Sequence, residues 1–493
     1  MLDESKKLMM NKEKPQLSFW QVWNVSFGFL GVQFGFALQN ANVSRILSDL
    51  GADLHSLSLF WLVAPIMGLI VQPLVGSASD RTWNRFGRRK PFIFAGAIAA
   101  AIGMVLMPNA GIFVAFIAPM LFGAMILALM DASFNVSFQP FRSLVSDMVP
   151  AKQRNLGYSI QSLLINIGAV IGSILPFVLT NVIGLENTAK VGEVAPSVTW
   201  AFYLGATVLL GSVLWTVFRT KEHPPKDFYA YRGIDAQAIA QQQKQKKSLR
   251  SSLVEFFRLV KTMPETMKRL AIVQFFSWFA LFIMWVYSMP AITQYIWGVE
   301  AKWFDPDYLH AIGTVPQALL DAKGAAADWV GIIFAAYSLF AAVFSVVLSK
   351  LADKFGRKLV YSLSLFAGAL GYFGFMASNN LDPVVVDLLI SSVTVPQAAV
   401  NLFIPMIGVG ISWAAILAMP YAILAGSLPA TKTGVYMGIF NFTIAAPQIV
   451  SGLFSGWILS SVFDNEAIYI IMLAGVAMLL ASASVYFVKD DQE

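Results

Sequence analysis

The sequence predicts an all-α membrane protein with twelve transmembrane helices in two six-helix bundles. Three observations predict it. The chain is 57% hydrophobic and only 13% charged, with a mean hydropathy of +0.66, whereas soluble domains carry roughly 25% charged residues. Apolar runs of membrane-crossing length, about 20 residues, lie near 20–39, 56–76, 91–107, 113–138, 156–180, 197–218, 271–298, 330–349, 359–377, 402–425, 434–460 and 467–488. Two sequence echoes, each about 270–280 residues apart, relate the first six runs to the last six.

The N-terminal stretch MLDESKKLMMNKEKPQ is polar and leads into a full-length span, so no cleaved signal peptide is expected. The first span carries Gln33, Phe36 and Asn40 on one face. For each such polar residue, interhelical hydrogen bonding and a site role stay open. Trp20, Trp297 and Trp457 near span ends read as interfacial anchors.

The second span ends in a basic turn, Asp80-Arg81-Thr-Trp-Asn-Arg85-Phe-Gly87-Arg88-Arg89-Lys90. After the eighth span comes its counterpart, Asp353-Lys354-Phe355-Gly356-Arg357-Lys358. Pro140, Pro150 and Gly157 after the fourth span likewise match Pro420, Pro429 and Gly438 after the tenth. Parallel repeats of this kind are found in alternating-access carriers, so Asp80, Arg81, Gly87, Arg88, Asp353, Gly356 and Arg357 are candidate gating residues; charge-directed topology alone is the other reading. Between the repeats, 219–269 is charged and holds the low-complexity run 237–247. The chain therefore divides into an N-terminal bundle at 1–218, a cytoplasmic linker at 219–269 and a C-terminal bundle at 270–493. An amphipathic surface helix fits 251–269.

The net charge of +6 is distributed by topology and is no nucleic-acid footprint. All Lys and Arg except Arg45, Lys190, Lys302, Lys323 and the span-end Arg142 fall on the side of the termini. The positive-inside rule then places both termini in the cytoplasm of a multi-pass protein of the cell (inner or plasma) membrane. The absence of cysteine excludes disulfides, thiol chemistry and a Cys-based metal site. His55, His223 and His310 all fall in loops without metal-ligand spacing, and no nucleophile–base pair or phosphate loop is present, so neither enzyme, cofactor nor metal is expected.

One stretch stands out inside the apolar runs. Within 127–142, Asp131, Asn135, Gln139 and Arg142 recur at helical steps of four, four and three, forming a single polar stripe. A charge at the bilayer centre costs roughly 2.5–3.5 kcal/mol on insertion scales, so the stripe should face protein or a watery cavity. Burial disfavours the charged form of a carboxylate, which suits Asp131 to picking up and releasing a proton. A purely structural Asp is the alternative. Arg142 lies about 16 Å along the helix from Asp131 at 1.5 Å per residue. Asp80 and Asp147 are its expected partners, and coupling and gating roles remain open for it.

The twelve spans with a D-R-x4-F-G-R-R-type turn resemble the major facilitator superfamily. The segments Gly31-Val-Gln33-Phe-Gly-Phe-Ala-Leu-Gln39, Phe60-Trp61-Leu-Val-Ala-Pro65, Gly68-Leu-Ile-Val-Gln72-Pro73-Leu-Val-Gly76 and Asp131-x3-Asn135 with Gln139-Pro140-x-Arg142 resemble the sucrose/proton symporters of plants and their bacterial and animal relatives, with this chain of bacterial type. The resemblance implies the major facilitator fold, a protonatable aspartate at Asp131 and its companion arginine at Arg142. Plant members carry a histidine in the first external loop. His55 is one position away, and that role is not carried over.

No other span holds an ionisable group, so the substrate is expected to be recognised by neutral groups. Candidate contacts are Gln33, Gln39, Asn40, Asn135, Gln161, Asn166, Gln274, Trp285, Trp413, Asn441 and Gln448, a supply suited to a polyhydroxylated ligand. Tyr158, Ser162, Trp278 and Tyr287 add to it. The expected function is proton-coupled symport of a sucrose- or maltose-type α-glucoside into the cell by a monomer. A proton-coupled exporter of drugs or metabolites is the alternative, and a non-transporting membrane sensor a further one. The partners are sugar, proton and lipid bilayer.

Overall fold

Helices begin and end where the sequence supplies a cap, a proline or a glycine turn. The computed structural model describes residues 14–113, 117–190, 192–232, 263–377, 379–388, 391–427 and 433–489. Ser18 and Gln21 form a capping box that opens α1 (Phe19–Ser26), which runs through Phe27 into α2 (Gly28–Asp49). Asp53 accepts from the Ser56 N–H to cap α3 (Leu54–Trp61), continued by α4 (Val63–Arg81). The rest of the first half is α5 (Lys90–Leu106), α6 (Pro119–Met148), α7 (Arg154–Asn181) and α8 (Pro196–Arg219). Pro119 and Pro196 start α6 and α8, where the missing N–H has no partner to lose.

After α9 (Pro225–Arg232), the second half comprises α10 (Glu265–Tyr295), the short α11 (Pro306–Ile312), α12 (Gln317–Phe355), α13 (Arg357–Ala377), α14 (Gln397–Asn401) leading into α15 (Phe403–Ser427), α16 (Thr433–Val462) and α17 (Ala467–Ser484). A hairpin of β1 (Pro383–Leu388) and β2 (Ser391–Pro396) joins α13 to α14. Pro140, Pro176, Pro290, Pro420 and Pro447 sit inside helices, as membrane helices tolerate when neighbours satisfy the freed backbone groups.

Among the described residues, 11 helices are long and apolar enough to cross a membrane. The α1–α2 column is the twelfth; Gln33, Gln39, Asn40, Asn42 and Arg45 dilute its hydropathy. A belt of exposed apolar side chains, including Ile102, Leu121, Met125, Val346, Leu363 and Ile404, forms the surface presented to lipid.

The halves repeat one packing pattern. In the first, α2 packs on α7 and α8, α5 on α6 and α8, and α4 on α6. In the second, α10 packs on α16 and α17, α13 on α15 and α17, and α12 on α15. Glycines allow the close approaches: a side chain at Gly168 or Gly172 of α7 would overlap the carbonyl of Leu30 or Phe34 on α2.

Several helices exceed their apolar runs. The first column continues from the expected end at 39 to Asp49, so Arg45, expected in an external loop, is helical and only 3% exposed. The fourth span, expected to end at 138, reaches Met148, so Arg142 lies inside a helix that Pro140 does not break. The eighth starts at Gln317 rather than near 330, which extends helix into the stretch between the seventh and eighth apolar runs. In the first column the reason is protein rather than lipid around the added turns, with Ser44, Arg45 and Ser48 buried, whereas the first turn of α12 is largely exposed and lies beyond the apolar run. The spans are consequently not free of further ionisable groups. The hairpin lies between the ninth and tenth apolar runs. Of the expected linker, 233–262 lies outside the described residues, including most of the 251–269 surface helix; Glu265 to Arg269 form the first turns of α10.

Candidate functional site

The polar stripe of α6 grades from buried to open. Asp131 is 2% and Asn135 7% exposed, Gln139 is half-buried and Arg142 exposed. The stripe is therefore most accessible toward the end of the molecule that carries the basic turns. At the buried end, Gln39 Nε2 of α2 donates to Asp131 Oδ1 at 2.9 Å. Gln72 Nε2 of α4 donates to Asn135 Oδ1 at 2.7 Å, and Asn135 Nδ2 donates to the Asp131 carbonyl at 2.8 Å. Three helices thus meet in one hydrogen-bonded chain around Asp131, in which Gln39 alone touches the carboxyl group. Asp131 Oδ2 and Gln39 Oε1 are buried and have no hydrogen-bond partner. An unmet acceptor pair of this kind accommodates one added proton, because protonation turns a carboxylate oxygen into a donor. Phe36 stacks on Phe134 at 4.7 Å and meets Phe138 edge-on at 6.1 Å, walling off this group.

Among the described residues Arg142 does not pair with Asp147, one of its two expected partners. Its guanidinium lies over the Phe138 ring, 4.4 Å from the centroid, and faces Tyr421 of α15. Asp147 is instead taken by Arg88 at 2.7 Å and Arg89 at 3.2 Å, both bridges buried. The side chains of Asp80 and Arg81 lie outside the described set, as does that of Tyr158.

The basic turn is braced within the first half. Gly87 adopts φ 114°, a left-handed conformation that favours glycine, and Gly356 in the counterpart turn adopts φ 88°. The Glu222 carboxylate accepts from the backbone N–H groups of Arg88, Arg89 and Lys90 at 2.9–3.1 Å, at the start of α5 where helix amides favour an anion. In the second half Arg357 Nη1 donates to the Ala422 carbonyl of α15 at 3.2 Å, and Asp353 is exposed.

The second half offers an aromatic cluster. Trp278, Trp285 and Trp413 form a triangle of edge-to-face contacts with centroids 5.8–6.3 Å apart. Trp278 Nε1 donates to Gln274 Oε1 at 3.1 Å, and Trp285 Nε1 to the Tyr337 hydroxyl at 3.4 Å. Gln274 Nε2 and Gln161 Oε1 are buried without partners. Gln33, Asn40, Asn166 and Gln448 are half-buried and Asn441 is exposed. Asn166 and Gln448 each donate to a carbonyl one turn back on their own helices.

Gln39, a candidate ligand contact in the sequence, donates from its amide to Asp131. Gln72 appeared only within a motif, and Tyr337 went unnoticed. The pairing of Arg45 with Asp328 was missed too; its one signal was an Arg and an Asp just outside the apolar runs of opposite halves.

These features are those of a two-bundle membrane transporter, and the chain belongs to the Major Facilitator Superfamily, which it matches over residues 25–305 and 307–493. That is a family of transporters, not enzymes. It is 26% identical over 455 residues to sucrose transport protein SUC4 of Arabidopsis thaliana, covering 86% of this chain and 81% of that one. To the proton-associated sugar transporter A of Mus musculus it is 32% identical over 169 residues, 33% of this chain and 22% of that one. Among solved structures it is similar in fold to a D-xylose-proton symporter, at TM-score 0.57 and 15% identity over 96% of this chain and 99% of that one. The nucleoside transporter NupG gives TM-score 0.56 at 15% identity, over 95% of this chain and 99% of that one.

Proposed function

We propose that this sugar transporter carries a disaccharide of the sucrose or maltose type into the cell together with a proton, by alternating access. The observation that carries the reading is the buried Asp131 carboxyl, one oxygen held by Gln39 and the other without a partner. Its protonation removes a charge from the apolar interior and lets the neighbouring cavity take a neutral polyol. By linkage, proton and sugar raise each other's affinity by the same factor. The names of the similar proteins, sucrose transport and proton-associated sugar transport, support the cargo class. The tryptophan triangle supplies apolar faces for sugar rings, and Gln274, Gln161 and Asn441 supply hydrogen bonds.

In this reading the basic turns face the cytoplasm, as do both termini, in a monomer of the cell membrane. The described conformation is then open inward. Residues 1–218 and 270–493 act as rocking bundles joined by 219–269, with Arg142 facing Tyr421 near the inner opening and the turns around Gly87 and Gly356 serving the inner gate.

The test is uptake of radiolabelled sucrose and maltose into proteoliposomes under an inward proton gradient, for the parent and Asp131→Asn. The parent is expected to accumulate sugar above equilibrium, and the variant to exchange or equilibrate it only. Accumulation by Asp131→Asn would remove the coupling assignment. Absence of any disaccharide flux in the parent would remove the cargo, and outward proton-driven flux would favour an exporter.

A further inference from the structure

At the end opposite the basic turns, the halves touch along two seams. In one, α12 lies against α7. Gly331 sits where a side chain would overlap the Ser173 carbonyl, and Gly324 meets the Asn187 carbonyl, 2.7 Å from where its Cβ would be. In the other, α16 lies against α3 and α4. There a side chain on Gly456 would overlap the His55 carbonyl, and one on Gly452 would come within 2.5 Å of Leu62. Every one of these approaches is a glycine of the second half against the first.

Between the seams lies a buried ionic cluster. Arg45 of α2 and Asp328 of α12 pair at 2.9 Å with side chains 3% and 4% exposed. Asn187, in the loop between α7 and α8, donates from Nδ2 to Asp328 Oδ2 at 2.9 Å, and its carbonyl accepts from Arg45 Nη2. Asp49 lies 4.0 Å from Arg45, and Lys323 of α12 faces both. Ser44 donates to the Val286 carbonyl of α10 at 2.8 Å beside them.

We propose that these contacts are the outer gate: the Arg45–Asp328–Asn187 cluster latches it, and Gly331 and Gly456 are the bare surfaces on which the halves close. Two charges buried from water depend on each other and on correct register, so the cluster forms only when the halves meet in this one alignment. The missing side chains let backbone reach backbone, which makes the seal sensitive to a single added methyl. Opening this end separates Arg45 from Asp328 and returns both to water, which is how a buried pair can be a reversible latch rather than a fixed brace. The inference rests on alternating access but not on which cargo moves.

The chain contains no cysteine, so an introduced one labels without background. Ser288 of α10 is fully buried and adjoins Met289, which lines the small cavity beside Arg45 and Lys323. In proteoliposomes of Ser288→Cys protein, a membrane-impermeant maleimide is applied from the face opposite the basic turns. Labelling is expected to accelerate at least tenfold when Gly331→Ala, Gly456→Ala or Asp328→Asn is added. Gly211→Ala, at a glycine with open space around it, stays at the parental rate. Parental labelling rates in all three gate variants, in protein that elutes from size exclusion as the parent does, would overturn the proposal. So would equal acceleration in Gly211→Ala. Because the readout needs no sugar, a wrong cargo leaves this result standing, and a failed gate leaves sugar uptake to be judged separately.

Discussion

Replacing Asp147 by asparagine removes the carboxylate from two buried bridges at once. The bridges to Arg88 and Arg89 join side chains only 4–6% exposed, and breaking a buried pair by removing one partner costs about 3–5 kcal/mol. Glu222 does not compensate, because its carboxylate is engaged by the backbone N–H groups of Arg88, Arg89 and Lys90. For a unit the size of one half, roughly 2–4 °C of midpoint follows each kcal/mol, so Asp147→Asn should lower the unfolding midpoint in detergent by roughly 6–20 °C. Glu265→Gln is the internal comparison. It breaks a bridge to Arg269 whose side chains are 54% and 32% exposed; solvent screens such a pair, so its midpoint should stay close to the parent's. Tryptophan-fluorescence melts of both variants beside the parent check the difference. If Asp147→Asn melts with Glu265→Gln, the turn is held by something other than its buried charges and the brace described here is wrong.

Three further outcomes are expected. Gln39→Leu removes the donor to Asp131 Oδ1 while leaving the carboxyl in place; the steady-state sugar accumulation ratio should fall severalfold with facilitated exchange retained, and an unchanged ratio would separate Gln39 from coupling. Trp413→Ala removes two of the triangle's three contacts and an apolar face offered to the sugar, and should raise the half-saturating sugar concentration severalfold, read by uptake over a concentration series. His223 lies outside the spans, where burial first and the nearby Lys14 second lower its proton affinity. Its folded form is therefore the neutral one, and the unfolded chain takes up the proton more readily below about pH 6.5. The unfolding midpoint should decline as pH falls through that value, and the decline should be shallower in His223→Gln; identical pH profiles would exclude the contribution.

The fold was legible because lipid imposes a coarse rule. Runs such as 197–218 and 359–377 had to be helices, and the Gly87 and Gly356 turns announced the duplication. Asp131 was legible for the same reason, as a charge where charge is costly. What hydropathy could not register was protein surrounding protein. Arg45 and Asp328 look like loop residues in sequence because nothing in either half alone predicts a partner 283 positions away. Gln39 was assigned to ligand because a polar side chain on an inward face has two possible customers, and only coordinates decide between a carboxylate and a cavity. The hairpin at 383–396 pairs short segments whose alternation is too brief to distinguish from an irregular loop.

The division of labour between the halves has a mechanical corollary. Gln39, Gln72, Asp131 and Asn135 all belong to the first bundle, whereas Trp278, Trp285, Trp413 and Gln274 all belong to the second. When two stiff bodies rock, distances inside each stay fixed and only those between them change. No bond within either set therefore reports the state of the other. In the proposed cycle, cargo lodged between the two sets is what would link them.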